Sequence, residues 1–470
     1  MINSYKNFGK ISLKSIITDN AFIQTNEMNL DLNPQDSSFV LDFPESLDEN
    51  GFIEYFESFD EMIKTIPSNR LLIYISREHC AFLLSKLQNS ETMKLKNIIF
   101  NILLKLMKNK EIKMILHELD FINICALLYK EHKECFYSLI IAMSRFMEDS
   151  PQDICKEIGK LFFKKSLKIF SLKEDLDDYL SALDFICYYV NYVNFNKEEV
   201  KVLPEILAKL LSSRKSPYIK QCCFILFKLI DSFHDNLFEF ATPKIIMIFN
   251  NLVLNLTLED LEDDNSNSIH ILTVFQNIIY YHGMHLFYIK FEEISMKLVS
   301  FLSFENITQK CQFAIITCLI DISIQKPEIY GILIDSNILD LMKILYTQVT
   351  FDIKLQFLSF LQNSLISPSI NVSFLYLLSD IFIMVLDELE MYSNSYILSI
   401  EESILNLLIN IPSKVYFEQI VERMNLVKNT FEKIYQTGNQ ECSILSKIIL
   451  EIINCSYEEY PNIYKKIQLQ

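Results

Sequence analysis

Two short motifs carry residue types that could hold a metal. His282-Gly283-Met284-His285 sets two imidazoles three residues apart, and His132-Lys133-Glu134-Cys135 does the same for an imidazole and a thiol. One helical turn could aim either pair at one ion, but a zinc site needs about four ligands. Neither pair has a matching second pair, so the first is expected at a helix end and the second on a polar helix face. Cys222-Cys223 reads as packing, because adjacent helical side chains point in different directions. The carboxylate pairs Glu198-Glu199 and Glu401-Glu402 could do acid–base work only beside a pocket and a partner base, so they are expected on solvated faces. Asp260, Glu262, Asp263 and Asp264 form an acidic cluster without EF-hand spacing. No phosphate-cradling GxxxxGK followed by Ser or Thr, no GxGxxG and no GxSxG occurs. The chain is therefore expected not to be an enzyme and to need no metal or other cofactor.

What recurs instead is a polar residue after a bulky apolar one, near the end of a helical pattern. Tyr189-Val190-Asn191, Phe275-Gln276-Asn277, Leu361-Gln362-Asn363 and Leu408-Ile409-Asn410 share it. Ser216–Asp231 matches Asn306–Asp321 at a shift of 90 residues, which adds Asp231 and Asp321 to the series. Successive anchors lie 40, 46, 44, 42 and 47 residues apart. A period of roughly 40–47 residues marks stacked helix pairs or triplets.

The clearest unit is Asn306–Tyr346. Cys311, Ala314, Ile315, Cys318, Leu319 and Ile322 recur at helical spacing, with Gln309, Gln312 and Thr317 off that face. Proline disfavours α geometry in the residue before it and suits a first helical turn. One helix should thus end near Gln325 and a short one start at Pro327. Asp335-Ser336-Asn337 reads as a turn, after which Ile338, Leu339, Leu341, Met342 and Leu345 open a third apolar face. Residues 92–470 divide into approximate units at 92–130, 131–172, 173–213, 214–257, 265–304, 305–347, 348–390, 391–436 and 437–470. The acidic insert 258–268 is expected as an exposed loop. Gly51–Ile66 is an amphipathic helix broken by Pro67, and residues 46–91 are expected as an N-terminal helical cap. Residues 1–45 read as irregular or partly disordered, and Lys6, Lys10 and Lys14 interrupt any signal-peptide core.

These units resemble armadillo repeats, with the HEAT family as the near alternative. Pro327, Ile338-Leu339-Asp340-Leu341-Met342 and Leu361-Gln362-Asn363 carry the likeness, which covers about 88–470. The resemblance implies an all-α, right-handed α-α superhelix of roughly eight to nine repeats. It also implies that Asn191, Asn277, Asn363 and Asn410 line a groove and hydrogen-bond an extended peptide, with Asp231 and Asp321 adding charge selective for basic ligands. The other reading of the same residues is that they cap helix ends or tie adjacent repeats together. Nuclear-import adaptors of this family place a tryptophan one turn before each asparagine. Here those positions hold Cys187, Phe227, Thr273, Thr317, Ser359 and Asn406, and the chain has no tryptophan, which argues against recognition of nuclear-localisation peptides.

Composition agrees with a helical scaffold. Half of the 470 residues are apolar, and six glycines leave few of the positive-φ turns that hairpins need. The net charge of −17 disfavours nucleic acid, whose affinity comes from Lys and Arg meeting phosphates. The expected function is that of a scaffold or adaptor whose partner is a protein offering an extended or basic segment, with a karyopherin-like transport receptor or a regulatory subunit of an enzyme complex as the alternatives; oligomeric state stays open. The eleven cysteines fall mostly inside apolar faces, as buried thiols of a reducing compartment would. The expected location is the cytoplasm, with the nucleus as a second compartment. The longest uncharged run, Leu355–Ser379, contains Pro368 and many Ser, Asn and Gln residues, so it is expected as two packed helices rather than a membrane span.

Overall fold

The computed structural model describes residues 44, 47–131, 136–171, 176–193, 195–212, 216–233, 237–263, 266–281, 286–365, 367, 369–408, 411 and 413–460. Every regular element among them is helical. The expected irregular segment 1–45 lies, apart from residue 44, outside them. The described residues divide into two compact units, one ending at Phe240 and one beginning at Ala241. That division falls inside the expected repeat 214–257.

The first unit opens with α1 (Glu49–Thr65), the amphipathic helix read from the sequence. Asp48 caps it, its carboxylate accepting from the Gly51 N–H at 2.8 Å. Phe52, Phe56, Phe59 and Ile63 are buried at helical spacing, and each contributes up to about 1.5–3 kcal/mol by leaving water. After Pro67 come a short 3₁₀ turn (Ser68–Arg70) and a single turn (Leu71–Tyr74). There follow α2 (Arg77–Asn89), α3 (Met93–Leu106), α4 (Lys110–Glu118), α5 (Phe121–Glu131), α6 (Phe136–Met147), α7 (Gln152–Ile169), α8 (Leu176–Tyr192), α9 (Leu203–Ser212) and α10 (Ser216–Ser232). Within this unit α1, α3, α6, α8 and α10 pack each on the next, forming an inner row. Helix α7 packs on α8 at Gly159, where an added Cβ would stand 2.4 Å from the Tyr189 ring. That close approach lets Phe163 and Tyr189 stack at 4.2 Å.

The second unit repeats the device. Its helices are α11 (Pro243–Leu254), α12 (Asn267–Tyr280), α13 (Phe291–Leu302), α14 (Gln309–Gln325), α15 (Ile329–Asp335), α16 (Ile338–Tyr346), α17 (Phe351–Ser364), α18 (Ile370–Leu377), α19 (Asp380–Asp387), α20 (Asn394–Leu408), α21 (Lys414–Asn425), α22 (Lys428–Thr437) and α23 (Gln440–Ile453). The inner row here is α12, α14, α17, α20 and α23, again each on the next. Helix α14 ends at Gln325 as the sequence implies, and α15 begins two residues after Pro327. Asn337 sits at φ 58°, in the left-handed region that asparagine tolerates, and turns the chain into α16. Polar caps recur at the entries: Thr308 before α14, Ser379 before α19, Ser413 before α21 and Asn439 before α23.

Three expectations need correction. Gln312 and Thr317 are buried, and so is every residue from Cys311 to Ser323. Helix α14 is walled by α12, α13, α15 and α17, leaving no face for solvent. The acidic insert is not a free loop: Glu259–Glu262 forms a helical turn whose Leu261 is fully buried. Its main chain is held on both sides, because the Leu261 carbonyl accepts from the Thr308 N–H and the Asp260 carbonyl accepts from the Ser268 hydroxyl. Glu259, Asp260, Glu262 and Asp263 remain exposed there, and Asp264 lies outside the described residues. Finally, Glu401 is buried rather than on a solvated face, because it points between α20 and α23; Glu402 is exposed.

No single described helix is long and apolar enough to cross a membrane. The uncharged run 355–379 is broken into parts of α17 and α18, and α18 and α19, bent by 58°, pass such a test only as a pair.

Candidate functional site

The polar anchors divide between exposed and internal positions. In the first unit Asn191 is exposed near the end of α8, and Asp231 is half-buried near the end of α10. In the second unit Asn277 is half-buried, and Asn363 turns its amide back to the Ser359 carbonyl at 2.8 Å, one turn down its own helix. Asp321 is buried, so it is an internal group and not a surface charge as expected. Its carboxylate accepts from Gln276 at 2.6 Å, and burial pushes its pKa up to about 7. Asn410, the pair His282 and His285, and the pair His132 and Cys135 lie outside the described residues. Among the described residues no three His, Cys, Asp or Glu side chains gather as metal ligands. Cys222 and Cys223 are buried, and burial pushes both thiols far above their ordinary range.

Sequence periodicity pointed at the anchors and missed their neighbours. Other side chains bridge successive inner-row helices, and two of them, Gln276 and Gln362, stand next to an anchor. In the first unit Ser138 of α6 donates to Asn97 of α3 at 3.0 Å, and Gln221 of α10 donates to Asp184 of α8 at 3.2 Å. In the second, Gln276 of α12 reaches Asp321 of α14, Gln362 of α17 donates to Ser399 of α20, and Ser446 of α23 donates to Glu401 of α20. Gln276 and Gln362 each precede an anchor asparagine by one residue, which turns them about 100° around the helix into the interface.

The first unit also has an open depression of about 390 Å³ across α1, α3 and α6. It is lined by Asp60 and Lys64 of α1, Asn101, Leu104 and Lys105 of α3, Met107 and Lys108 just beyond it, Ile141 and Arg145 of α6, and Glu148 just beyond that helix. Lys105 and Lys64 both pair with Asp60, Lys64 also with Glu61, and Arg145 with Glu148 at 3.3 Å. Lys113, nearly buried on α4, donates to the Glu148 carbonyl, and its burial lowers its pKa. The polar surface continues onto α8. Asp184 has its pKa raised by burial, against the pull of Gln221, Arg145 and Lys220. Burial likewise raises the Tyr188 phenol to about 12, with Arg145 and Glu148 acting on it as well. Tyr188 and Tyr192 stack at 6.0 Å, and Asn191 lies one turn from Tyr188, on the same side of the helix.

No family model matches the chain, and no curated protein matches it. Among solved structures, an engineered protein determined by the Northeast Structural Genomics Consortium is similar over 88% of this chain and 97% of its own, with a TM-score of 0.68 and 14% identity. At that identity the likeness is one of fold. Kap121p, solved bound to Nup53p, aligns over 89% of this chain and 47% of its own at 12% identity, with a TM-score of 0.36, too low to carry an argument.

Proposed function

We propose that the chain is an armadillo/HEAT-type α-solenoid that works as a non-enzymatic protein-binding scaffold, taking an extended segment of a partner along the inner-row helices. The observation that carries this reading is the polar surface running over α1, α3, α6 and α8 of the first unit. It combines a depression with charged walls, stacked tyrosines and the exposed amide of Asn191. An extended segment leaves its backbone donors and acceptors unpaired, and amides, tyrosines and charged side chains are the groups that satisfy them. The side chains around the depression are the ion-paired Lys64, Lys105 and Arg145 with their carboxylates, Lys108, one amide and apolar groups, an arrangement that favours binding over activating a nucleophile.

A photo-crosslinking residue in place of Asn191, compared with one at the exposed Tyr435 of α22, tests the reading. Crosslinks to the same cellular protein from position 191 and not from 435 are expected. Equal or absent crosslinking at 191 would overturn it. In the second unit, Asn277→Ala with Asn363→Ala should weaken the same partner while helicity is kept; unchanged affinity would confine binding to the first unit.

A further inference from the structure

The chain is strongly acidic, yet the depression in the first unit is not. Its walls carry Lys64, Lys105, Lys108 and Arg145 against Asp60 and Glu148. The carboxylates are already engaged: Asp60 by Lys64 and Lys105, and Glu148 by Arg145. Lys113 stands behind the wall, where it donates to the Glu148 carbonyl; burial lowers its pKa, against the pull of Glu148 and Asp149. Lys64 and Lys108 are both exposed at the rim. The cations converge from three successive helices and their C-terminal ends, and they outnumber the carboxylates that line the same space.

We propose that this depression is a subsite for an acidic stretch of the partner segment, one or two Asp or Glu side chains entering between Lys105, Lys108 and Arg145. The inference rests on the scaffold reading and gives it a sign opposite to the one that net charge suggests. A carboxylate arriving here meets the Lys105 ammonium and the Arg145 guanidinium already held by their pairs with Asp60 and Glu148, so at those two cations little side-chain order is lost on binding, and the exposed Lys108 completes the site from the rim. A basic segment would instead meet Lys64, Lys105, Lys108 and Arg145 across a few ångströms, where like charges are costly. The overall charge of −17 disfavours a phosphate polymer, whose affinity grows with the number of cations it meets. A short carboxylate stretch needs only this one cluster.

The test is selection of a random twelve-residue peptide library on the full chain, followed by fluorescence polarisation of the enriched peptides. The comparison protein is the double variant Lys64→Glu with Lys108→Glu. Both side chains are exposed, so the fold should survive, and circular dichroism with a melting curve verifies that. The expected result is a set of peptides with two or more acidic residues that bind the variant at least about tenfold more weakly. Their Glu→Gln versions should lose a similar factor on the unaltered chain. Acidic peptides that bind the variant equally well would place the site elsewhere and overturn the proposal. Enriched basic peptides would overturn the acidic subsite while leaving the scaffold reading standing. A selection that enriches nothing would count against both.

Discussion

At the scale of single residues, the first unit depends on one missing side chain. Gly159 of α7 faces the Tyr189 ring of α8, and any Cβ there would collide with it. Tyr189 cannot easily retreat, since its ring stacks on Phe163 and its hydroxyl faces Glu199 at 3.4 Å. Helix propensity alone would favour alanine by about 1 kcal/mol, but overpacking a filled interface costs about 1–3 kcal/mol, so the clash decides the sign. Gly159→Ala should destabilise the chain by roughly that margin in urea titration, and the same substitution should cost less when made in a Tyr189→Ala background, where the ring it meets is gone. A gain in stability from Gly159→Ala alone would refute this account.

At the scale of elements, much of the fold was legible. The long and short helices around Pro327, the turn at 335–337 and the aromatic face of α1 follow from spacing, proline chemistry and side-chain type, while the left-handed conformation of Asn337 within that turn does not. What spacing could not show is which polar residues the neighbouring layers would cover. Gln276 and Asn277 differ by one position in a periodic pattern, yet the first is internal and the second half-exposed. The insert 258–268 misled for a related reason. Its composition is that of a loop, and Leu261, the buried apolar side chain that anchors it, carries no local signal of its partners. The depression was illegible because Asp60, Lys105 and Arg145 are far apart in sequence and meet only when α1, α3 and α6 stack.

At the scale of the whole molecule, the buried acids make stability a function of pH. Burial raises Asp321 to about 7 and Glu401 to about 8, opposed only in part by hydrogen bonds from Gln276 and Ser446. No cation is among the groups acting on either, and one Glu401 oxygen is buried without a hydrogen-bond partner. The folded chain therefore keeps protons that the unfolded chain has lost above about pH 4. Their contribution is fully present below the unfolded pKa and drains away as pH rises through about 7 to 8, at up to about 1.4 kcal/mol per pH unit for each group. The melting temperature should fall between pH 5 and 9 more steeply for the unaltered chain than for Asp321→Asn with Glu401→Gln. Equal slopes would mean that neither acid is protonated in the fold.

Helix α14 has one more consequence. Most helices in this chain show substitution to two audiences, solvent on one side and neighbours on the other, so tolerance should rise and fall about every 3.6 positions. Between Cys311 and Ser323 every position answers to neighbours. A saturation mutagenesis scan read by cellular abundance should therefore lose its rhythm there, with Gln312 and Thr317 as unforgiving as Ile315 and Leu319, and recover it along α1. In inheritance this helix would be the slowest-drifting text of the chain, held still from every side and not by any one role.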